Sequence, residues 1–338
     1  MSLAKNIVTA LAPIVPVSLC HSLARSPLIL PYYHMVSDES LPHIAPLYHY
    51  RTVQQFTDDV DFFLRHFQPV GLSDLLAHIN GGKALPTRAF LLTFDDGFRE
   101  MAEIVAPILK TKGVSAAFFI NPAFVDNREL CLHQKIALLI EQLTREPSPI
   151  LETKLAQLLK AKGVDGEAAI PMLRSVRYDR RSVLDEAAAL CGVDFAAFLS
   201  RQKPYLTADQ IRGLLRDGFG IGGHSVDHPF YGDLTLDEQL RQTHESVGYV
   251  REKFGVQQRA FAFPHSDTGV SRAFFERSYG DGTLEISFGT GGLLRDSWPR
   301  HFQRFSMEQT ALPAKSIAAH QYARRAVQNM AGPAAARR

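Results

Sequence analysis

Short apolar runs alternate with segments of helical periodicity along most of this chain. Continuous apolar runs of this length are typical of buried strands in a parallel sheet. The segments between them have apolar residues at helical spacing, as at residues 53–66 and 98–112. Strands that alternate with helices in this way predict parallel crossover units and a barrel-like α/β fold. About seven strands are expected, at residues 28–36, 90–94, 116–122, 219–228, 259–263, 284–289 and 302–307.

The pattern changes between about residues 126 and 203, where helical periodicity continues without a clear strand. We interpret this stretch as a helical insertion over one end of the barrel. The predicted organisation is an N-terminal segment at residues 1–27, a single domain at 28–330 and a flexible tail at 331–338.

Composition excludes some classes of function and leaves others open. The chain has 338 residues, of which 46% are hydrophobic and 21% charged, with a formal net charge of +2. These values are ordinary for a globular protein, and no broad basic field predicts a nucleic-acid partner. The cysteines, Cys20, Cys131 and Cys191, are far apart. They predict neither a disulfide framework nor a cysteine metal site.

The N-terminal segment permits two interpretations. Lys5 precedes an apolar run at residues 6–20 that Pro13 and Pro16 interrupt, and the run is shorter than the ~20 residues that span a bilayer. We favour a frayed or membrane-leaning helix, with peripheral membrane contact through residues 1–25 of a cytoplasmic protein. The alternative is a signal peptide at residues 1–24 of an exported, periplasmic protein.

Polar groups follow the ends of three predicted strands. Asp95 and Asp96 are adjacent, His224 and His228 are four residues apart, and His265 follows a third strand. Two histidines with one carboxylate suit zinc, and also cobalt, nickel or manganese, with positions left for water and substrate. One carboxylate would bind the metal, and its neighbour would take a proton from the metal-bound water. This pattern predicts hydrolysis of an amide or ester.

Two of these motifs resemble those of a known family. The stretches Thr93–Gly97 and His224–His228 are similar to motifs of the polysaccharide deacetylase family (NodB homology, carbohydrate esterase family 4). The resemblance runs from about residue 28 to residue 307. It implies a distorted (β/α)7 barrel, interrupted here by the helical insertion, and metal-dependent removal of N-acetyl groups from amino sugars. Carried over by motif, Asp95 is the general base, and the metal ligands are Asp96, His224 and His228.

A third stretch, at residues 261–265, looks like the family's next motif. The resemblance implies that the His265 N–H, which follows Pro264, helps to hold the oxyanion. The family's arginine two residues before this proline is Ala262 here. We expect Arg304 either to replace that arginine by pairing with Asp95 or to form a surface ion pair.

The family's late Leu-x-His motif, whose histidine is the usual general acid, has no clear counterpart near residues 302–307. Three candidates for the acid therefore stay open: His265, His301, and the proton of the metal-bound water relayed by Asp95. His301 is nearest in sequence to the missing motif. His34, near the end of the first strand, is expected to be a structural histidine or to line the pocket.

The substrate class implied by the resemblance is an N-acetylated glycan. It could belong to a surface polysaccharide, such as lipopolysaccharide or capsule, or to a lipid- or nucleotide-linked precursor. The alternatives are a non-catalytic glycan-binding protein on the same scaffold, a deformylase of a lipid-linked amino sugar, and an O-acetyl esterase.

Overall fold

A computed structural model describes residues 27–308 and 310–330 of the chain. The predictions for the N-terminal segment, including its membrane contact and possible cleavage, and for the tail at 331–338 lie outside the described residues. Within the described ranges, no helix is both long enough and apolar enough to cross a membrane.

The described residues form eleven short strands, and every pair of neighbouring strands is parallel. In chain order the strands are β1 (Leu28–Ile29), β2 (Pro31–Tyr33), β3 (Gln68–Pro69), β4 (Ala89–Phe90), β5 (Leu92–Phe94), β6 (Ala116–Ile120), β7 (Gly220–Gly223), β8 (Ala260–Ala262), β9 (Ile286–Gly289), β10 (His301–Gln303) and β11 (Phe305–Ser306). Strand β2 continues β1, and strand β5 continues β4, in each case after a single intervening residue.

The main sheet closes into a barrel at its last strand. Its order is β10-β9-β8-β7-β6-β5-β2-β11, and only Arg304 separates β10 from β11 along the chain. His301 pairs with Ser287 on β9, and Phe305 pairs with Pro31 on β2, so this segment joins the two edges. Counted as one strand, β10 and β11 give seven positions around the ring. The predicted distorted (β/α)7 barrel is confirmed.

Helices surround this ring. Several begin at threonine caps, as at Thr52 and Thr207, where the side chain and a glutamine three residues on form a capping box. A π-helical turn at Met101–Val105 precedes the α-helix Ala106–Thr111, and the two together occupy most of the predicted helix at 98–112. The helices are α1 (Val53–His66), α2 (Leu72–Ile79), α3 (Ala106–Thr111), α4 (Leu132–Arg145), α5 (Pro149–Ala161), α6 (Ala169–Arg174), α7 (Val183–Cys191), α8 (Phe195–Gln202), α9 (Ala208–Arg216), α10 (Leu236–Phe254), α11 (Arg272–Gly280) and α12 (Ala314–Met330).

Helices α4 to α8 follow one another with no strand between them, in the stretch where the sequence predicts a helical insertion. They have a hydrophobic core of their own, which includes the fully buried Leu139, Leu155 and Leu184. Phe98 and Tyr205, which flank the insertion in the barrel, join this core and stack at 5.6 Å. The insertion is therefore packed firmly on one end of the barrel.

Contacts across the ring distinguish the inside of the barrel from its outside. Phe119 on β6 and Phe288 on β9 approach to 5.3 Å between ring centroids, although two strands separate β6 from β9. The guanidinium of Arg304 lies 5.5 Å from the Phe119 ring, so Arg304 is also inside. His301 instead packs at 5.0 Å against Phe275 of α11, in the outer layer.

Candidate active site

The two adjacent carboxylates lie where β5 ends. The apolar residues of β5 are fully buried, and the Asp95 N–H continues the strand pairing by donating to the Tyr33 carbonyl at 3.0 Å. The backbone then turns sharply, with φ of 73° at Asp96 and 66° at Gly97. A Cβ at residue 97 would also lie 3.2 Å from the Ile120 side chain, so glycine suits this turn on both counts.

The histidine pair lies in the loop after β7. Neighbouring groups fix this loop: the Asn121 amide donates to the carbonyls of His224 and Ser225, and the His228 N–H donates to Ser225 Oγ at 3.0 Å. Ser225 and His228 have positive φ, as do Asp96 and His265. Four of the seven non-glycine residues with positive φ in the described ranges thus belong to this site. Such backbone conformations cost energy and concentrate at functional sites.

Asp96, His224 and His228, here named the Asp96 triad, have the geometry of a metal site. Asp96 Oδ1 lies 3.3 Å from His224 Nε2 and 3.1 Å from His228 Nε2. His224 Nδ1 lies 2.8 Å from the Ala262 carbonyl, to which it donates its proton. In the neutral ring this leaves a lone pair on Nε2 that faces a carboxylate oxygen.

Two acceptors that face each other at this distance repel unless a cation lies between them. Asp96 Oδ1 and His224 Nε2 are both buried and make no hydrogen bond within the described ranges. Burial alone would raise the pKa of the Asp96 carboxyl, but the charge of the neighbouring His228 opposes burial and the net pKa lies well below its usual range. The donor set and the orphaned atoms fit a divalent metal ion.

Asp95 lies beside the Asp96 triad and forms a buried ion pair with Arg304. The two guanidinium nitrogens, Nη1 and Nη2, each lie 2.7 Å from one Asp95 carboxylate oxygen. Nη1 also donates to Thr93 Oγ1 at 3.1 Å, and Arg304 is fully buried. Burial raises the pKa of the Asp95 carboxyl, but the Arg304 charge opposes it and the net pKa is lowered. Of the two expectations for Arg304, the structure therefore shows the pair with Asp95 and not the surface ion pair.

A second pair joins the partly exposed His34, after β2, to the buried Glu308, after β11. His34 Nδ1 lies 2.6 Å from Glu308 Oε2, and the backbone N–H groups of His34 and Met35 donate to the same carboxylate at 2.8 Å each. Burial lowers the pKa of the His34 ring, but the Glu308 charge and hydrogen bond outweigh it and raise the pKa to about 9. At neutral pH, His34 is therefore an imidazolium whose Nε2 is not engaged by Glu308.

A cavity of about 350 Å³ opens onto the Asp96 triad. His34, Asp96, His228 and His265 line it, so His34 has the pocket-lining position that was one of its two expected ones. The helical insertion supplies another wall of the cavity. The residues of the insertion that line the cavity are Cys131, His133, Gln134, Ile136 and Arg174.

The structure separates the two histidines proposed as acids. His265 lies at the cavity, with its ring 4.4 Å from that of His228. The backbone N–H of His265 has no acceptor within the described ranges. The His301 side chain is fully buried outside the barrel, where Nδ1 bonds Ser287 Oγ at 2.7 Å and Nε2 lies 3.1 Å from Asp267 Oδ2. Among the candidate site residues that the structure describes, His301 is the one that lies on the outer side of the barrel.

Sequence reasoning undervalued His34 and did not pair it with Glu308. The signal that could have found them is strand order: Ser306 on β11 pairs with Tyr32 on β2, so the residues two positions further on in each strand, Glu308 and His34, also meet. That pairing requires a closed barrel, which the sequence predicts only as a class of fold.

A sequence model described as polysaccharide deacetylase matches residues 82–166 and 182–279, more than half of the chain. The comparison with curated protein sequences gave no match.

Three solved structures share the fold with TM-scores of 0.54. The deacetylase PplD of Streptococcus pyogenes, in complex with acetate, is 12% identical and covers 87% of this chain and 99% of its own. IcaB from Ammonifex degensii is 15% identical, with coverages of 88% and 97%. A de-N-acetylase from Aggregatibacter actinomycetemcomitans is 13% identical, with coverages of 85% and 97%. At these identities the likeness concerns the fold.

Proposed function

Because the chain belongs to the polysaccharide deacetylase family and is a sugar N-deacetylase, we propose that it hydrolyses the N-acetyl amide of an amino sugar with a divalent metal ion at the Asp96 triad. The observation that carries this proposal is the buried His224 Nε2, which faces Asp96 Oδ1 at 3.3 Å with no hydrogen bond between them. Such an arrangement is stable with a cation between the two atoms.

Asp96, His224 and His228 would hold the ion. When bound, a divalent ion lowers the pKa of water and polarises an acyl carbonyl. Zinc is proposed first because two nitrogens and one oxygen suit it, while cobalt, nickel and manganese also accept this set.

Asp95 is proposed as the general base. Arg304 holds both of its oxygens and keeps it ionised, so it is an acceptor at neutral pH and is fixed in orientation. It lies beside the Asp96 triad, with Oδ2 4.0 Å from His224 Nε2. From this position it would take the proton of the attacking water.

His34 is proposed as the general acid, a role that the sequence offered to His265 and His301. Its pKa of about 9 keeps it protonated at neutral pH, and Glu308 holds Nδ1, so Nε2 is the nitrogen with a proton to give. The leaving amine of an amide needs such a proton as the C–N bond breaks. The His265 N–H, which has no acceptor within the described ranges, would stabilise the oxyanion.

The cavity favours a single sugar unit as the group recognised. Its volume of about 350 Å³ is small, and residues of the helical insertion wall it on one side. We therefore propose a terminal sugar or a lipid- or nucleotide-linked precursor of lipopolysaccharide or capsule, in preference to the interior of a long polymer. A cytoplasmic, membrane-associated location would suit such a precursor.

The test is the stoichiometry of products from N-acetylated glycans, including lipid- and nucleotide-linked ones. The full chain should release acetate and a free amine in equal amounts, should lose this activity on chelation, and should regain it with Zn²⁺ or Co²⁺. Asp95→Asn should bind the metal normally and release no measurable acetate. If neither acyl group nor amine appears from any glycan while the protein still binds one of them, the glycan-binding alternative is correct. Acetate without amine would indicate an esterase, and formate a deformylase.

A further inference from the structure

A second cluster of metal-binding side chains lies on the insertion side of His228. Cys131, His133 and His228, here named the Cys131 triad, place one ligand atom each within 4.8 Å of the other two. Cys131 Sγ lies 4.0 Å from His133 Nδ1, and the His133 and His228 rings are 5.9 Å apart. Two ligands of a tetrahedral zinc ion lie about 3.5 Å apart, so small side-chain movements would close this triad on an ion.

His228 has an atom to offer to this second cluster. Its Nε2 faces Asp96, while Nδ1 is buried and makes no hydrogen bond within the described ranges. A histidine that binds a metal through one nitrogen normally donates the other N–H to a carboxylate or carbonyl. Here that partner is absent from the described part of the chain, and Cys131 and His133 lie on this side of the cavity instead.

We propose that Cys131, His133 and His228 form a second metal-binding triad, selective for thiophilic ions such as Zn²⁺ or Cd²⁺, that shares His228 with the Asp96 triad. One thiolate and two imidazoles are a softer ligand set than one carboxylate and two imidazoles. Binding releases the Cys131 thiol proton and, when an ion also occupies the Asp96 triad, the proton on His228 Nδ1. The ion can enter through the cavity, because Cys131 and His133 both line it.

This triad would join two parts of the fold. Cys131 and His133 lie at the start of α4 in the helical insertion, whereas His228 belongs to the barrel loop after β7. The Cys131 N–H bonds the Tyr205 hydroxyl at 3.1 Å, which fixes the start of α4. An ion held there stabilises the packing of the insertion on the barrel. This ion also binds His228, which is a ligand of the ion at the Asp96 triad. An excess of thiophilic metal therefore weakens the Asp96 triad and inhibits the enzyme, and this inhibition requires Cys131.

The experiment uses the full chain with Cys20→Ser and Cys191→Ser, so that Cys131 is its only thiol. The metal-free protein is titrated with Cd²⁺, and the ultraviolet thiolate-to-cadmium charge-transfer band is recorded together with the melting temperature. We expect a saturable band, which Cys131→Ser removes, and a rise in melting temperature, which Cys131→Ser reduces but does not abolish because the Asp96 triad also binds Cd²⁺. His133→Gln should weaken the apparent Cd²⁺ affinity for this band at least about ten-fold.

Asp96→Asn separates the two triads, because Asp96 belongs only to the first, and it should keep the band. Absence of the band in the parent protein, with native circular dichroism, overturns the proposal. Loss of the band in Asp96→Asn also overturns it, because Cys131 would then be an extra ligand of the first ion. Neither result depends on acetate release, so the proposed function stands or fails separately.

Discussion

The strand that closes the barrel, residues 301–306, has two faces, and each carries a buried side chain that contacts a carboxylate. On the inner face, Arg304 binds Asp95. On the outer face, His301 binds Asp267 under helix α11. The pairs are equally buried, but only the inner one lies beside the Asp96 triad. Burial and a carboxylate partner therefore do not identify a catalytic group, whereas the direction of the side chain does.

A second comparison concerns two histidines that each have a carboxylate partner. His34 follows β2 at the carboxyl end of the barrel and lines the cavity, whereas His301 begins β10 and is enclosed by aromatic side chains such as Phe263 and Phe275. Because side chains alternate along a strand, His301 and Arg304 point to opposite faces. The comparison predicts that inner substitutions change the chemistry, with or without a loss of stability, whereas outer ones change stability alone.

The largest effect is expected from Arg304→Ala. The substitution leaves the buried Asp95 carboxylate without its cation, and removal of one partner of a buried ion pair costs about 3–5 kcal/mol. Urea denaturation should show this loss in the free energy of unfolding, and acetate release per folded molecule should also fall. Arg300→Ala, at a half-buried arginine just before the same strand, is the matched control and should change the unfolding free energy by less than about 1 kcal/mol. Equal losses in the two variants would contradict the inner position of Arg304.

His34→Gln should reduce amide hydrolysis by about 10²–10⁴-fold, the usual contribution of a general acid. The metal content should stay near that of the parent, whereas the melting temperature should fall, because the buried Glu308 carboxylate loses its charged partner. Steady-state acetate release with metal restored is the measurement. An unchanged kcat would remove His34 from the mechanism and return the role to His265 or to the bound water.

Glu308→Gln should move the alkaline limb of the pH–rate profile. The pKa of His34 is about 9 against an ordinary 6.5, so the protonated acid is present below about pH 9 and is lost as the pH rises through it. Without the Glu308 charge this limb moves toward neutral pH, and the rate at pH 8 should fall about ten-fold. Asp267→Asn, which removes the carboxylate of the outer pair, should leave the limb in place. A shift of the limb in Asp267→Asn alone would reverse the assignment.

The smallest effect on activity is expected from His301→Gln. Ser287 and Asp267 each lose a buried hydrogen-bond partner, which costs about 1–3 kcal/mol of unfolding free energy. The rate of acetate release per folded molecule should stay within about three-fold of the parent. A loss as large as that of His34→Gln, in a variant that remains folded, would show that the outer face takes part in catalysis.

The sequence predicted the parts of this fold that local patterns specify. The apolar runs, the helical insertion and the order of carboxylates and histidines at strand ends are all visible in one dimension. Strand ends of a parallel barrel meet at one rim, so Asp96, His224 and His228 could be placed together before the structure was known.

What the sequence could not predict depends on contacts made when the ring closes. Glu308 meets His34 because β11 pairs with β2, a contact between residues 274 positions apart. His301 was chosen for its position in the chain, next to the missing motif. A shift of one residue in a strand reverses the face of a side chain, and proximity in sequence does not determine the face. The grouping of Cys131 with His133 and His228 likewise needs the insertion to be docked on the barrel.

The most direct test of the central claim compares two leaving groups in His34→Gln. Hydrolysis of an N-acetyl sugar requires a proton on the leaving amine. An aryl acetate ester releases a stable phenolate, so its hydrolysis requires no proton donor. The account predicts that the ratio of amide to ester turnover, measured with the metal restored, falls about 100-fold or more in His34→Gln and stays near that of the parent in His301→Gln. An equal loss of both activities in His34→Gln, or a changed ratio in His301→Gln alone, would contradict it.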